Sequence, residues 1–209
     1  MIEGLLYATS NPDKVREVSK ILRHNNIPVV TPADLGINIE APETGTTLEE
    51  NARLKVKAYL PLVNGMLVLA DDTGLEIDAL DGAPGIRVRR WRDGVTKMTD
   101  EQIIWHCLEL MAGIPMEKRG AQFKTVLALG LPNGNIEITK GILRGVILER
   151  ADPTIRIEGF PFESLFFVPE WNMLTGQVAK LPISQKKGRM NHREKALKKA
   201  IPRIKQLIS

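Results

Sequence analysis

The sequence predicts an α/β protein with a long mixed β-sheet and flanking helices, arranged as two lobes around a central active-site cleft. Three observations carry that prediction. Short apolar, β-branched runs alternate with amphipathic helical segments in the first half, as in sheets built from helix-connected strands. Two long strand-like segments, Ala121 to Leu131 and Asn135 to Glu149, flank a Pro132-Asn133-Gly134 turn that reads as a hairpin. The chain of 209 residues, 43% hydrophobic and 26% charged, suits one domain (1–209) with a real core.

Gly4 to Ala8 reads as a first strand. Asn11 then caps a helix that takes Pro12 at its first position and Asp13 in its first turn. Val15, Val18, Ile21 and Leu22 give that helix an apolar face as far as His24. Ile27 to Thr31 reads as a second strand, and Pro32 to Thr46 as irregular. Thr47 with Glu50 makes a capping box for a long helix running to Asn64-Gly65, with Leu48, Ala52, Val56, Tyr59, Leu60 and Val63 on one side.

Met66 to Ala70 is a buried-strand run, and the polar Asp71-Asp72-Thr73-Gly74 after it is expected at the strand's C-terminal end, where α/β folds hold ligands. Leu75 to Leu80 looks extended and Gly82 to Gly85 a turn. Thr99 to Ala112 is a further amphipathic helix, with Cys107 a small apolar filler on its inner face. Gly159 to Pro169 reads as aromatic-rich and irregular. The last helix, Asn191 to about Ile208, should bend or break at Pro202.

Composition excludes several classes. No apolar run approaches the ~20 residues of a membrane span, and Met1-Ile2-Glu3-Gly4 lacks the basic and long apolar regions of a secretory signal. A single cysteine forbids an internal disulfide and supports no zinc cluster, which suggests a reducing, cytoplasmic location. The net charge of +4 hides an asymmetry: Lys186 to Lys205 holds nine Lys/Arg and one acid, a balance of +8, so the remainder sums to −4. A basic end on an acidic body suits a polyanion such as a triphosphate or nucleic acid, although a solvated helix face has the same look.

Three constellations could carry chemistry. Thr9, Ser10, Asn11 and Lys14 open a helix after a strand, which offers free N–H groups, the positive end of the dipole and a point charge to an anion. Neither a P-loop nor a dinucleotide-binding glycine pattern exists in the chain. Asp71 and Asp72 are sequential, so on an extended backbone they face opposite ways, one to a cleft and one to a support. Magnesium takes one or two carboxylates with water and phosphate oxygens, and Glu43 offers the second carboxylate. Lys186, Lys187, Arg189, His192 and Arg193 precede or begin the last helix, and Arg87, Arg89, Arg90 and Arg92 surround Trp91.

In order, these motifs resemble the inosine triphosphate pyrophosphatase family of nonstandard-purine pyrophosphatases. The matching residues are Ala8-Thr9, Asn11, Lys14 and Glu17; Glu43-Thr44-Gly45, Thr47, Glu50-Asn51-Ala52 and Lys55; Ala70 through Glu76, Asp78-Ala79-Leu80 and Gly82 through Gly85; and His192-Arg193 with Ala196-Leu197. The resemblance implies hydrolysis of ITP, dITP and XTP at the α–β bond to the monophosphate and pyrophosphate, with Mg2+, in a homodimer. It implies that Thr9, Ser10, Asn11 and Lys14 hold the phosphates, that Glu43 and Asp72 bind magnesium, and that Asp72 also acts as general base. Lys55 and Arg90 would offset phosphate charge, with Thr73 among the substrate contacts. Lys187, His192 and Arg193 would reach the nucleotide, Arg193 near the purine 6-oxo group. Neither a membrane nor nucleic acid is expected as a partner.

The base-binding segment departs from the family's Gly-Phe-Gly-Tyr-Asp-Pro and reads Gly159-Phe160-Pro161-Phe162-Glu163-Ser164. Phe160, Phe162 and Glu163 occupy the family's base-contacting positions, and Phe162 can stack on a purine but has no hydroxyl. Asn191 stands where the family has Ser. The preferred base is therefore left open. The same reaction on a modified or pyrimidine base, and a catalytically inactive nucleotide- or RNA-binding relative, are the alternatives.

Overall fold

The computed structural model describes residues 4–208, so the expectation drawn from Met1-Ile2-Glu3 lies outside the described residues. Among the described residues the strands form one open eight-stranded mixed sheet, in the order β2-β1-β3-β5-β6-β7-β8 with β4 paired to β3. The strands are β1 Leu5–Tyr7, β2 Val29–Val30, β3 Leu67–Ile77, β4 Pro84–Gly85, β5 Gly120–Gly130, β6 Ile136–Ile147, β7 Phe166–Val168 and β8 Met173–Leu174. The helices are α1 Pro12–His24, α2 Leu48–Tyr59, α3 Asp100–Leu110, α4 Thr175–Ala179 and α5 His192–Ile208. No helix among the described residues is long and apolar enough to cross a membrane.

The chain divides into two compact units. One comprises the residues up to Thr73, Thr125–Gly141 and those from His192 onward. In it β1 runs parallel to β2 and to β3, with Leu5 beside Leu67 and Tyr7 beside Leu69. Alternation along these strands sends Leu5, Tyr7, Leu67 and Leu69 to one face, where they pack with Val18 and Leu22 of α1 and Leu197, Ala200 and Ile204 of α5. Leu6, Ala8, Val68 and Ala70 go to the other face, against Ala52, Val56 and Tyr59 of α2. The second unit comprises Gly74–Lys124 and Ile142–Asn191. Its core joins Leu75 and Ile77 of β3 to Ile103, Cys107 and Met111 of α3 and to Phe162, Leu165, Phe166 and Val168.

Helix starts fall where the capping residues set them. The Asn11 side chain accepts from the N–H groups of Asp13 and Lys14, and Thr47 with Glu50 closes a capping box, as does Thr99 with Gln102. Cys107 is buried on α3, as expected of a filler.

Several elements differ from expectation, among them Asp78–Leu80, a 3-10 turn where extended chain is expected. The acid pair does not end its strand: β3 runs unbroken from Leu67 through Asp71, Asp72, Thr73 and Gly74 to Ile77. A strand interior accepts these carboxylates because buried cations and N–H groups replace the water each would lose. The α-helical part of α2 stops at Tyr59 and one 3-10 turn, Leu60–Leu62, completes it. The stretch expected to be irregular contains a 3-10 turn, Pro161–Ser164, and then β7, whose Phe166 and Phe167 pair with Ile147 and Val146. Finally, α5 does not break at Pro202 but continues through it to Ile208.

Candidate active site

The first unit gathers most of the predicted polar residues around the middle of β3. Alternation that sorts the apolar residues continues into the acids. Asp71 follows Leu67 and Leu69 onto the face of α1 and α5, and Asp72 follows Val68 and Ala70 onto the face of α2. Two adjacent carboxylates therefore meet different partners.

Asp71 is 1% exposed. Its Oδ1 accepts from the Tyr7 hydroxyl at 2.6 Å. Its Oδ2 faces Lys14 Nζ at 3.0 Å, Arg193 Nε at 3.2 Å and the Thr73 hydroxyl at 3.3 Å. Burial alone would raise its pKa, but Lys14 and Arg193, with Lys55 behind them, outweigh that and hold the carboxyl far below the usual range. Arg193, 2% exposed, also donates to Glu17 of α1 and to Thr73 Oγ1. Burial opposes its charge, and Glu17 and Asp71 restore it. The guanidinium thus ties α1, β3 and α5 together around one acid.

Asp72 lies on the other face. Its Oδ1 is 3.0 Å from Lys55 Nζ and its Oδ2 accepts from Asn51 Nδ2 at 3.1 Å. Burial pushes its pKa up, against the pull of Lys55 and Lys14. Lys55 also meets Glu43 Oε1 at 2.7 Å and the Asp71 carbonyl at 3.2 Å. Burial opposes its charge, but Asp72, Asp71 and Glu43 raise its pKa, so it stays an ammonium. One lysine therefore holds both carboxylates named as magnesium ligands. Asn51 bridges the same loop to the strand, because its Oδ1 accepts from Gly45 N at 2.8 Å.

The start of α1 keeps the expected form. Thr9 Oγ1 accepts from Asn11 N at 3.2 Å, and Ser10 is exposed beside it. Lys14 is drawn to Asp71 and burial lowers its pKa. At the start of α5, His192 is buried and its Nδ1 lies 2.6 Å from Thr125 Oγ1. Burial and the Arg193 charge hold its pKa well below 6.5, so the ring is neutral. β6 passes close beneath: a Cβ on Gly141 would strike the His192 carbonyl and the Ala196 N–H, so only glycine fits there.

Arg90, Phe160, Phe162, Glu163 and Lys187 belong to the second unit. Arg90 ends the Val88–Arg90 3-10 turn and is exposed, as is Lys187. Phe160 and Glu163 are half-buried. Phe162 is 3% exposed and its ring packs against Trp91 and Phe123, with centroids 6.3 and 6.0 Å away. The ring expected to stack on a base is a core residue here. Gly159 is held at both ends of its peptide geometry: its N–H donates to Asp100 Oδ2 at 2.8 Å and its carbonyl accepts from Arg89 at 2.6 Å, while Arg89 pairs with Asp100.

Sequence reasoning gave no role to Tyr7, Asn51 or Thr125. Asn51 stands inside the quoted motif beside Glu50, a signal that was available. Tyr7 and Thr125 lie in apolar strand runs that look like core, and nothing local marks them.

The sequence matches the Ham1 family over residues 5–203. It is 36% identical over 203 residues to a dITP/XTP pyrophosphatase of Desulforamulus reducens, covering 97% of this chain and 96% of that protein. It is 34% identical over 199 residues to one of Bacillus subtilis, covering 95% and 96%. Among solved structures, the Staphylococcus aureus Ham1 protein superposes with a TM-score of 0.78 at 29% identity over 98% of this chain and 99% of that one. A nucleoside-triphosphatase / dITP/XTP pyrophosphatase from Mycobacterium abscessus gives 0.66 at 29% identity, over 99% and 98%.

Proposed function

The chain belongs to the Ham1 family, and from that premise we propose that it hydrolyses nonstandard purine nucleoside triphosphates, ITP, dITP and XTP, to the monophosphate and pyrophosphate. The observation that carries this reading is the division of labour at the acid pair: Asp71 is saturated by buried partners, whereas Asp72 shares Lys55 with Glu43.

Two carboxylates sharing one ammonium suit a magnesium ion, which needs only one or two carboxylates and completes its shell with water and phosphate. Glu43 and Asp72 would hold it. Bound there, magnesium supplies neutralisation of phosphate charge and a more acidic water. Asp72, its pKa raised by burial, accepts the proton of the water that attacks the α-phosphorus. The bond to the bridging oxygen breaks and pyrophosphate leaves. Lys55 and Arg90 offset the charge that develops on it, and the first N–H groups of α1 with Thr9, Ser10, Asn11 and Lys14 hold the phosphates.

For the base, Phe160 supplies a ring less buried than Phe162, and Glu163, Lys187 and His192 supply polar contacts. Arg193 is committed to Glu17, Asp71 and Thr73, which favours its holding the acid over its reading the 6-oxo group directly. A homodimer and a cytoplasmic location complete the reading; light scattering on the purified protein tests the first.

The deciding experiment measures pyrophosphate released from ITP, dITP, XTP and the common purine and pyrimidine triphosphates, with and without magnesium. Preference for ITP and XTP supports the proposal. Preference for a pyrimidine moves the substrate class, and absence of pyrophosphate from every nucleotide leaves the inactive binding protein, whose mark is salt-dependent RNA binding.

A further inference from the structure

The loop that carries Phe160 is held from two sides by the turn that carries Arg90. Arg89 precedes Arg90 and its guanidinium is used as a fork: Nη1 pairs with Asp100 Oδ1, and Nη2 donates to the Gly159 carbonyl at 2.6 Å. The other Asp100 oxygen, Oδ2, accepts from Gly159 N at 2.8 Å. One guanidinium, one carboxylate and the backbone of one residue therefore close a ring of three hydrogen bonds. Trp91 follows Arg90, and its ring packs on Phe162 with centroids 6.3 Å apart. Phe160 thus lies between two held residues, and the side chains that hold them are the chain neighbours of Arg90. All of these residues belong to the second unit.

The ring of bonds fixes where Phe160 begins. Gly159 is the third residue of a turn closed by the Phe160 N–H on the Ile157 carbonyl at 3.0 Å, and its φ of 80° is the left-handed value that position needs. Holding both the N–H and the carbonyl of this glycine sets the peptide planes on either side of it, and the second plane carries the Phe160 Cα. The clamp is itself anchored. The Arg89 carbonyl accepts from Met98 N at 2.8 Å, and Asp100 lies in the first turn of α3, whose start is set by Thr99 and Gln102. The loop is thereby referred to a helix.

Stability is a weak reason for such an arrangement. The Arg89 and Asp100 side chains are 30% and 21% exposed, and an ion pair open to water adds little to folding. Directing the fork and the carboxylate onto one residue's backbone sets geometry instead.

We propose that Arg89 and Asp100 form a positioning clamp that fixes Phe160 relative to Arg90, so that an aromatic ring and a cation meet the nucleotide as one preset pair. This rests on the proposed function, in which Phe160 contacts the base and Arg90 offsets phosphate charge. Arg89 and Asp100 act through these neighbours and do not themselves meet the substrate. A loop held in place before binding loses less freedom when the nucleotide arrives, and a misplacement on the order of 1 Å can cost about 10²-fold in rate.

The test has two readouts on the intact protein. Exchange of the Gly159 amide hydrogen, followed by NMR on 15N-labelled protein without nucleotide, reads the clamp directly. Asp100→Ala should speed that exchange by about tenfold or more, while the Thr99–Gln102 capping box keeps α3 formed. Wild-type exchange in that variant overturns the clamp. The second readout is kcat/KM for ITP. Arg89→Ala should lower it by about tenfold or more. Arg89→Lys should not restore it, because an ammonium is a point donor without the planar fork; full activity there would show that charge alone suffices and overturn the fork. Phe160→Ala and Arg90→Ala, each costly alone, should add little in the Arg89→Ala background, because the pair is already displaced. A merely structural loss would multiply with both. Losses that multiply, or wild-type kcat/KM in folded Arg89→Ala protein, refute the positioning role. If the wild-type protein hydrolyses no triphosphate, the functional reading fails and the nucleotide's part in the proposal with it, while amide exchange still decides the clamp.

Discussion

Asp71 and Asp72 are adjacent carboxylates, and replacing each by Asn should have opposite consequences. Asp71 is buried against two cations and two hydroxyls. In Asp71→Asn the amide cannot neutralise Lys14, which is half-buried, or Arg193, which is 2% exposed. Breaking a buried ion pair from one side costs about 3–5 kcal/mol. For a chain of this length that is a fall in Tm on the order of 10 °C. Asp72 starts from a different balance: burial already pushes its pKa up, so the fold gains little from its charge. Asp72→Asn keeps an oxygen for Lys55, and Glu43 and the Asp71 carbonyl still hold that ammonium, but its amide nitrogen then faces the Asn51 Nδ2 donor where Oδ2 accepted. Its stability should fall by about 1–2 kcal/mol, less than in Asp71→Asn. Activity should fall about 10²–10⁴-fold through loss of the general base. Urea unfolding with matched m-values measures the first quantity and pyrophosphate release the second. Equal destabilisation by the two variants, or an Asp72→Asn enzyme with wild-type turnover, would refute the division of labour.

Three further outcomes follow from the structure. Chelation by EDTA should abolish turnover, and magnesium should restore it, with far-UV circular dichroism unchanged throughout because Lys55 already bridges the two carboxylates. Gly141→Ala should destabilise by about 1–3 kcal/mol and lower kcat/KM, because a Cβ there meets backbone atoms at the start of α5 that cannot turn aside; wild-type Tm would contradict that close approach. Burial raises the Cys107 thiol to about 12, so the folded form keeps its proton where the unfolded chain, with a pKa of about 8.5, loses it. The stabilisation is complete below about pH 8.5 and is lost as pH rises towards 12. Wild type should therefore lose about 1–2 kcal/mol relative to Cys107→Ala between pH 8 and 10, read from paired urea titrations.

The parts of the fold that were legible are those with local signals. Asn11, Thr47 and Thr99 cap their helices through bonds that span two or three residues, so the sequence carries both donor and acceptor within one window. The turn at Pro132-Asn133-Gly134 is equally local: Gly134 N donates to the Leu131 carbonyl. Strand β7 was not legible, because its pairing partner, Ile147 for Phe166, lies 19 residues earlier and its own composition is only aromatic. The continuity of β3 was hidden for the same reason. A strand interior refuses two carboxylates unless cations meet them there, and the cations that do so come from α1, α2 and α5.

The sequence by itself determined the helix starts, the order of the motifs, and the alternation that sends Asp71 and Asp72 to opposite faces of β3. Those properties depend on neighbours in the chain and on the two-residue period of an extended backbone. Only the tertiary structure decided what each acid became. Tyr7, Lys14 and Arg193 close around Asp71 from 64, 57 and 122 residues away in the chain, and Lys55 and Asn51 meet Asp72 from α2. The charge state, burial and hydrogen-bond direction of a carboxylate depend on which groups replace its water, and in this protein those groups come from elements remote in sequence.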